Sequence, residues 1–536
     1  MSSEHESALG AIDRRAFIGR GITGAAAVTL PGLIAACGGG STVTTGTPAT
    51  KAPAPPGAPT GVLQPVFGVI DSIDPALSRD GWETYRANVY DGLLSHSPKG
   101  ELVPALATKY ESSADATEWT LTLREGVKFH DGADLDATAV LRTIEHYYAV
   151  SPAVTELGLP PKASAVELDD SDPGVFKVKS KTPLPDFGRN LPLWAIISPK
   201  LLAGGKAAPT KTMVGTGPFR FVEYTKGQSL TMEANPDYWG DGPYLERVEF
   251  SLVTDPSAQL AALRSKSADM VFSVSPEQVP QLNSSEVQVA TTDAPLAVVF
   301  VFLQRDGRPI SNPEVRQAIA HAIDRQALID KVVLGAGKPL DSFVPAGVYG
   351  AITPKATYPF DPERAKQLIS DAGLEAGDVL VKMATSDVLT PRNRLLAQAI
   401  NQMLQDVGIS SSVDDVDPTE FAKLFDPKPP WETIQGDLEW NSLGPLFITN
   451  GYLNELFAEW KSPEYDALVE TIRTTGDGPE REQAIADAQE LIAKELPAIT
   501  LYQRQYTAAT QSDVYGWSNP ADGSTIRLGG VYRGKA

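Results

Sequence analysis

The region 215–272 shows how apolar and polar positions predict structure in this chain. Apolar and polar residues alternate on both sides of the turn 225–228, which predicts a β-hairpin with one packed and one solvated face. Alternation returns over 248–252 and predicts a third strand. Asp255 followed by Pro256 is typical of a helix start. An extended segment follows, so the region is predicted to end as β-α-β.

The alternation typical of strands and the spacing typical of helices continue through the rest of the chain. Strict alternation over 119–124 predicts a strand, and the unbroken apolar run 297–303 predicts a strand buried on both faces. From Pro313 the apolar residues follow helical spacing, with Arg316 predicted on the solvent side. Two further helices and a strand over 497–502 are predicted near the end. Strands that alternate with helices indicate an α/β protein.

Length and composition limit the class of protein. The 536 residues exceed what a single hydrophobic core organises, so two or three domains are expected. Apolar residues make up 42% and aromatic residues 8%, which is typical of a globular protein and not of a disordered one. The net charge of -21 argues against a nucleic-acid surface, because phosphate binding needs clustered Lys and Arg. It indicates solubility instead.

The N-terminal residues 1–36 are predicted to be an export signal. Arg14 and Arg15 precede an apolar run over 21–36, which is the pattern of a twin-arginine signal. That run contains Gly, Thr and Pro and is shorter than the ~20 residues that a membrane-spanning helix needs. The segment is therefore not predicted to span a membrane.

The signal ends at Cys37, the single cysteine of the chain, which excludes an intrachain disulfide. The residues 33–37 resemble the lipobox of bacterial lipoproteins, which implies that Cys37 carries a lipid and begins the mature chain. The alternative is an unmodified, buried cysteine. The stretch 37–61 is almost entirely Gly, Ser, Thr, Pro and Ala after the cysteine, and is predicted to be a flexible lipid-anchored linker.

Several sequence blocks resemble one protein family. They include GTGPF at 215–219 and ANPDYWGDGP at 234–243, and the resemblance continues upstream and downstream over roughly residues 65–515. The chain resembles the family 5 periplasmic solute-binding proteins, the extracytoplasmic partners of ABC importers for oligopeptides, dipeptides and nickel. The resemblance implies an α/β, periplasmic-binding-protein-like two-lobe fold of the class II type, with a small α+β domain inserted in the first lobe.

The resemblance also implies how the chain is divided. Hinges are expected near Asp293 and Leu496, because the chain passes between the lobes there. The expected parts are lobe I from 62–98, 198–292 and 503–536, the small inserted domain from 99–197, and lobe II from 293–502.

The resemblance places five candidate ligand-binding residues in two segments. Asp80 and Trp82 follow the first predicted strand, 66–73, where the peptide binders of this family pair backbone with the ligand as an added strand. Glu439, Trp440 and Asn441 match a strand and loop whose Trp lines the ligand pocket. The alternatives are a surface aromatic for Trp82 and domain packing for Trp440 and for Trp431 in the same region.

One position departs from the family. Many peptide binders have an Asp three residues after the pocket Trp, where it neutralises the α-ammonium of the peptide, and this chain has Leu443. A buried cation without a counter-charge costs several kcal/mol, so Asp437 or Glu439 would have to substitute. A neutral, blocked or differently oriented ligand is therefore favoured over an ordinary peptide.

Other sites are not indicated. The spacing of His130, Asp131, Asp134 and Asp136 fits neither an EF-hand loop nor a zinc pair, and turn and cap roles are predicted. No catalytic residue, metal ligand or cofactor is predicted. A secreted hydrolase, the second hypothesis, lacks the G-x-S-x-G and H-E-x-x-H patterns.

The main functional prediction is a lipid-anchored extracytoplasmic receptor without enzymatic activity. We expect it to capture a peptide or peptide-like solute between two lobes and to deliver it to an ABC permease and ATPase. Closure of the lobes on the ligand would be the mechanism. We expect a monomer held at the bacterial membrane by its N-terminal lipid, without nucleic-acid partners. A sensor partner of a membrane receptor is the third hypothesis, and the sequence does not separate it from transport.

Overall fold

The structure is a computed structural model that describes most of the chain after residue 52. It describes 53–70, 72–77, 88–97, 101–150, 167–282, 285–303, 307–385, 392–416, 431, 433–439, 448, 453, 460–517 and 526–534, with backbone alone for 295, 376 and 434–439.

The described strands are β1 Val62–Leu63, β2 Pro65–Phe67, β3 Leu94–His96, β4 Leu102–Pro104, β5 Ala107–Ser112, β6 Glu118–Leu123, β7 Glu167–Asp172, β8 Val175–Lys179, β9 Phe219–Thr225, β10 Ser229–Ala234, β11 Arg247–Leu252, β12 Met270–Val271, β13 Val287–Phe302, β14 Gly337–Pro339, β15 Leu380–Thr385, β16 Ser410–Asp415, β17 Thr433–Glu439, β18 Ala498–Gln511, β19 Val514–Tyr515 and β20 Tyr532–Arg533.

The described α-helices are α1 Ala137–Val150, α2 Phe187–Asn190, α3 Pro199–Ala203, α4 Pro256–Arg264, α5 Pro313–Ala322, α6 Arg325–Ala327, α7 Pro362–Asp371, α8 Asn393–Asp406, α9 Pro463–Thr474 and α10 Pro479–Glu495. Among the described residues, no helix combines the length and the apolar character needed to cross a membrane.

Among the described residues, twelve strands form one mixed sheet. Its order is β16-β15-β17-β13-β18-β12-β2-β11-β10-β9, with β1 beside β11 and β14 beside β18. The central strands β13 and β18 are long and antiparallel, and they join the two halves of the sheet. A separate four-stranded sheet has the order β5-β6-β8-β7, and α1 contributes to its apolar core. The α/β architecture predicted from the sequence is confirmed.

The hairpin and the β-α-β unit predicted for 215–272 are present. β9 and β10 pair with Ser229 opposite Thr225, and Gly227 supplies the left-handed turn residue with φ of 71°. Asp255 starts α4 by accepting a hydrogen bond of 2.7 Å from the backbone N–H of Ala258. β12 lies beside β2 rather than beside β11, so β2 is inserted into this unit.

Two predictions differ from the structure. Arg316 was predicted on the solvent face of α5, but its side chain is buried and donates hydrogen bonds to the carbonyl oxygens of Glu495, Ile310 and Ser311. A guanidinium carries five donors, so these carbonyls replace water and make its burial possible. The first strand was expected to run from Val66 towards Ile73, but β2 ends at Phe67.

Candidate functional site

Of the five predicted ligand-binding residues, one lies within the part of the chain that the structure describes. Asp80, Trp82, Trp440 and Asn441 lie outside the described residues, and Glu439 is described by its backbone alone. The lipidation residue Cys37 also lies outside them. The structure describes the frame that flanks the two segments with these residues, 78–87 and 439–441.

Glu439 is the last residue of β17 and lies opposite Leu296 of β13. β17 is antiparallel to β13 and parallel to β15, so it is an interior strand of the sheet. Pairing on both sides holds its backbone by hydrogen bonds. The chain therefore enters the segment 440–441 from a fixed point next to the long central strands.

The segment 78–87 begins after a buried hydrogen-bonded pair. Asp74 Oδ2 lies 3.0 Å from Nε2 of His146 in α1, and both side chains are almost fully buried. Asp74 Oδ1 also accepts a hydrogen bond of 2.9 Å from the backbone N–H of Ala76. A buried carboxylate is stable only when its oxygens are hydrogen-bonded, and these contacts meet that requirement. They fix the backbone four residues before the segment starts.

The same segment ends at Asn88, whose side chain is buried. Its amide nitrogen donates to the carbonyl oxygen of Ile526 at 2.9 Å, and its amide oxygen accepts from the backbone N–H of Leu528 at 2.9 Å. The side-chain amide therefore both donates and accepts a hydrogen bond, as a backbone peptide group does in a sheet. Both ends of the segment that carries Asp80 and Trp82 are therefore held by the folded body.

Asp91 connects two of the family-like sequence blocks. Its Oδ2 accepts hydrogen bonds of 2.9 Å from the hydroxyl of Thr216, in GTGPF, and of 2.9 Å from Nε1 of Trp239, in ANPDYWGDGP. Burial raises the pKa of Asp91, and the hydrogen bonds from Trp239 and Thr216 oppose that rise. One carboxyl group thus ties the residues that follow 78–87 to the two blocks.

The glycines of GTGPF allow backbones to approach closely. A Cβ on Gly215 would lie 2.2 Å from the carbonyl oxygen of Val89, and one on Gly217 would lie 2.7 Å from that of Asn88. Both contacts are with backbone, which has little freedom to move away. Because the two backbones are close, the N–H of Gly217 donates a hydrogen bond of 3.0 Å to the carbonyl oxygen of Val89.

The central strands change register beside β17. Pairing between β13 and β18 shifts between Asp293 and Ala297, and side-chain hydrogen bonds surround the interruption. Gln503 donates to the carbonyl oxygen of Ala294 at 2.8 Å, and Asp293 accepts 2.7 Å contacts from Lys338 and Gln505. Such bulges bend a strand locally. The position is where the sequence places one hinge, and a hinge role remains a prediction.

The acidic cluster around His130 makes local structural contacts. Asp131 accepts from the N–H of Ala133, Asp134 pairs with Lys128 at 2.6 Å, and Asp136 accepts from the first turn of α1. Asp131 and Asp136 therefore have the predicted turn and cap roles, and Asp134 forms an ion pair. Within the part of the chain that the structure describes, no group of His, Cys, Asp and Glu could hold a metal ion.

Sequence reasoning missed the residues of this frame. Asp74, His146 and Asn88 lie far apart in the chain, and neither spacing nor period connects them.

Trp431, weighed as a pocket or packing residue, is buried in an apolar core and donates from Nε1 to Asp414 at 2.9 Å. The structure therefore places Trp431 in packing.

Comparison with known proteins assigns the fold and the family. The model of the bacterial extracellular solute-binding proteins, family 5, matches residues 101–445, which is more than half of the chain. The chain belongs to this family.

Curated relatives cover most of the chain. The glutathione-binding protein GsiB of Pectobacterium atrosepticum is 26% identical over 469 residues, which are 84% of this chain and 90% of that protein. The protein of the same name from Escherichia coli strain K12 is 27% identical over 451 residues, 81% of this chain and 87% of that protein.

Solved structures show the same fold. HbpA2 from Haemophilus parasuis superposes with a TM-score of 0.80 at 21% identity, over 89% of this chain and 100% of that one. The periplasmic binding protein DppA from Helicobacter pylori in complex with the peptide STSA gives a TM-score of 0.71 at 24% identity, over 89% and 99%. The periplasmic-binding-protein-like fold predicted from the sequence is confirmed.

Proposed function

We propose that this protein is a lipid-anchored receptor that captures a small peptide-like solute and delivers it to an ABC importer. The observation that carries the proposal is the family match over 101–445. The relatives named as glutathione-binding and the structure named with a bound peptide support a peptide-like solute. This role requires no catalysed reaction. Closure of the two lobes on the solute is the mechanism.

In this proposal the solute contacts both segments that leave the frame. Asp80 and Trp82 come from the segment held by Asp74 and Asn88, and Glu439, Trp440 and Asn441 follow the interior strand β17. Rigid supports of this kind reduce the ordering cost of binding.

The solute that we propose lacks an exposed α-ammonium at the position of Leu443, because that residue offers no counter-charge. A neutral, blocked or differently oriented peptide meets this condition.

The lipid on Cys37 would hold the body near its permease. The tether in this proposal is shorter than the predicted linker 37–61, because the carbonyl oxygen of Pro53 accepts a hydrogen bond from Tyr532 and the N–H of Thr60 donates to Tyr244. Random-coil scaling over 37–52 gives a reach of about 20–25 Å.

Native mass spectrometry of the full mature chain, purified without refolding, tests the proposal against a hydrolase. A panel of dipeptides, tetrapeptides and glutathione is added, and the bound and free species are weighed. We expect one class to be retained and recovered unchanged. Appearance of cleavage products that track the protein concentration would contradict the proposal.

Transport and sensing are separated in cells. Uptake of the retained solute should fall when the gene is deleted and return with the intact chain. Unchanged uptake, with loss of a signalling response to the same solute, would favour the sensor alternative.

A further inference from the structure

A cluster of four charged side chains joins two separate parts of the molecule, with Arg481 fully buried, Arg189 and Asp186 largely buried and Asp477 about half exposed. Arg481, in the first turn of α10, has no solvent exposure, and its Nη2 lies 2.7 Å from Oδ1 of Asp186. Its Nη1 lies 2.9 Å from Oδ1 of Asp477, and its Nε donates to the carbonyl oxygen of Ile472 at 3.0 Å. Every nitrogen of this guanidinium therefore has an oxygen partner.

Arg189 completes the cluster from the other side. Its Nη2 lies 2.8 Å from Oδ2 of Asp477, and its guanidinium carbon lies 3.5 Å from the centre of the Tyr349 ring. Asp477 thus bridges both arginines, and Asp186 lies next to both. Paired charges and the aromatic face compensate for the water that these groups lose.

The two sides of the cluster belong to different apolar cores. Asp186 and Arg189 flank Phe187, which packs with Trp119 in the core of the four-stranded sheet. Arg481 is on α10, whose Ile485 packs in the core shared by α9 and α10. Large apolar interfaces hold domains together permanently, whereas small polar ones permit relative motion.

The backbone approaches closely at the same place. A Cβ on Gly476, one residue before Asp477, would lie 2.8 Å from the carbonyl oxygen of Ala114 in the turn between β5 and β6. Glycine allows the loop between α9 and α10 to touch the four-stranded unit. The charged cluster and the glycine contact therefore form one surface of contact between the two units.

We propose that Asp186, Arg189, Asp477 and Arg481 form a latch that holds the four-stranded unit against α9 and α10 in the closed, solute-free protein. Opening the latch exchanges the cross-unit contacts of Asp186 and Arg189 for water and leaves the Arg481–Asp477 pair within its own unit. The strength of these contacts would set the ratio of closed to open protein before solute binds. The inference rests on the proposed function only in requiring that the two units move apart.

Distance measurement between two spin labels tests the latch without any solute. The labels are placed at Ser171→Cys, in the four-stranded unit, and Glu470→Cys, on α9, where both residues are exposed. The full chain carries Cys37→Ser, because Cys37 is its single cysteine. Asp186→Asn removes one cross-unit ion pair and keeps the side-chain size.

We expect Asp186→Asn to lengthen the distance for part of the population, with the closed-to-open ratio falling about tenfold, equivalent to about 1.4 kcal/mol. The control Asp134→Asn, which breaks an ion pair with Lys128 inside the four-stranded unit, should keep the parent distribution. An unchanged distribution in a folded Asp186→Asn protein would overturn the latch.

A charge reversal gives a second test. Arg189→Glu removes the pair with Asp477 and places a second carboxylate beside Asp186, so it should open the protein. A folded Arg189→Glu protein that keeps the parent distance would overturn the proposal. If Arg189→Glu does not fold, Arg189→Lys is measured instead, and an unchanged distance there would also count against the latch.

Because no solute enters these experiments, their failure would leave the proposed solute binding untouched. A protein that binds no solute could equally well show the latch.

Discussion

Nε2 of His146 lies 3.0 Å from Oδ2 of Asp74, and this contact connects α1 to the residues that precede the segment 78–87. Asp74 in turn holds the N–H of Ala76. The predicted ligand-binding residues Asp80 and Trp82 therefore follow a point that is fixed from another unit of the protein.

Replacing His146 should weaken both the fold and the site. His146→Ala leaves the buried carboxyl of Asp74 without its main partner, and we expect a loss of about 3–5 kcal/mol in the free energy of unfolding. Chemical denaturation measures the loss. His321→Ala is the matched control, because that ring hydrogen-bonds to the carbonyl oxygen of Pro359 at an exposed position and lies edge-on to Tyr358, and it should cost less than about 1 kcal/mol. Equal stability of the two variants would show that the Asp74 contact contributes little.

Gly215 should tolerate no side chain. Gly215→Ala places a methyl group 2.2 Å from the carbonyl oxygen of Val89, and we expect a loss of about 3 kcal/mol or more because backbone must move. Gly68→Ala meets no atom within 4 Å and should change stability by less than about 0.5 kcal/mol. Thermal unfolding of both variants checks the difference. A Gly215→Ala protein as stable as Gly68→Ala would contradict the close approach.

His130 should make stability depend on pH. Burial lowers the pKa of His130 from 6.5 to about 4, although the hydrogen bond to Gly217 favours the charged ring. Between pH 6.5 and 4 the unfolded chain therefore binds a proton at His130 that the folded protein does not bind. The contribution of the neutral ring to the free energy of unfolding is complete above pH 6.5 and is lost as pH falls towards 4. It amounts to about 3 kcal/mol.

Denaturation curves recorded from pH 7.5 to 4 for the parent and for His130→Gln measure this contribution. Glutamine has no proton to gain in that range and can still donate to Gly217. We expect the difference between the two proteins to change steadily below pH 6.5. Parallel pH profiles would show that His130 is not responsible.

Cys37 should determine where the protein is found. Cys37→Ser removes the thiol that we propose to carry lipid, so the exported protein should move from the membrane fraction to the soluble fraction. Metabolic labelling with a radioactive fatty acid should mark the parent and not the variant. A variant that remains membrane-bound to the same extent would refute lipid anchoring through Cys37.

The sequence predicted local elements well because their signals are local. The hairpin β9–β10 follows from alternation around one turn, and the start of α4 follows from Asp255 and Pro256. Arg316 was misplaced because helical spacing does not reveal which buried carbonyl oxygens a guanidinium will meet. Partners of that kind come from distant parts of the chain.

The frame of the candidate site shows the same limit. Asn88 reaches Ile526 across 438 positions, and Asp74 reaches His146 across 72. Family resemblance indicated the segments that carry the site, and the structure added the contacts that hold them. The composition of the site itself, including Glu439 and Trp440, rests on the resemblance.

Titration calorimetry of the mature chain with glutathione, dipeptides and tetrapeptides tests the central claim most directly. We predict saturable binding of one solute class to one site, with affinity reduced at least about tenfold by Trp440→Ala and unchanged by Phe360→Ala, which removes an exposed aromatic outside the predicted site. Equal affinity of the parent and Trp440→Ala would remove Trp440 from the site. Absence of saturable binding by every member of the panel would contradict the account as a whole.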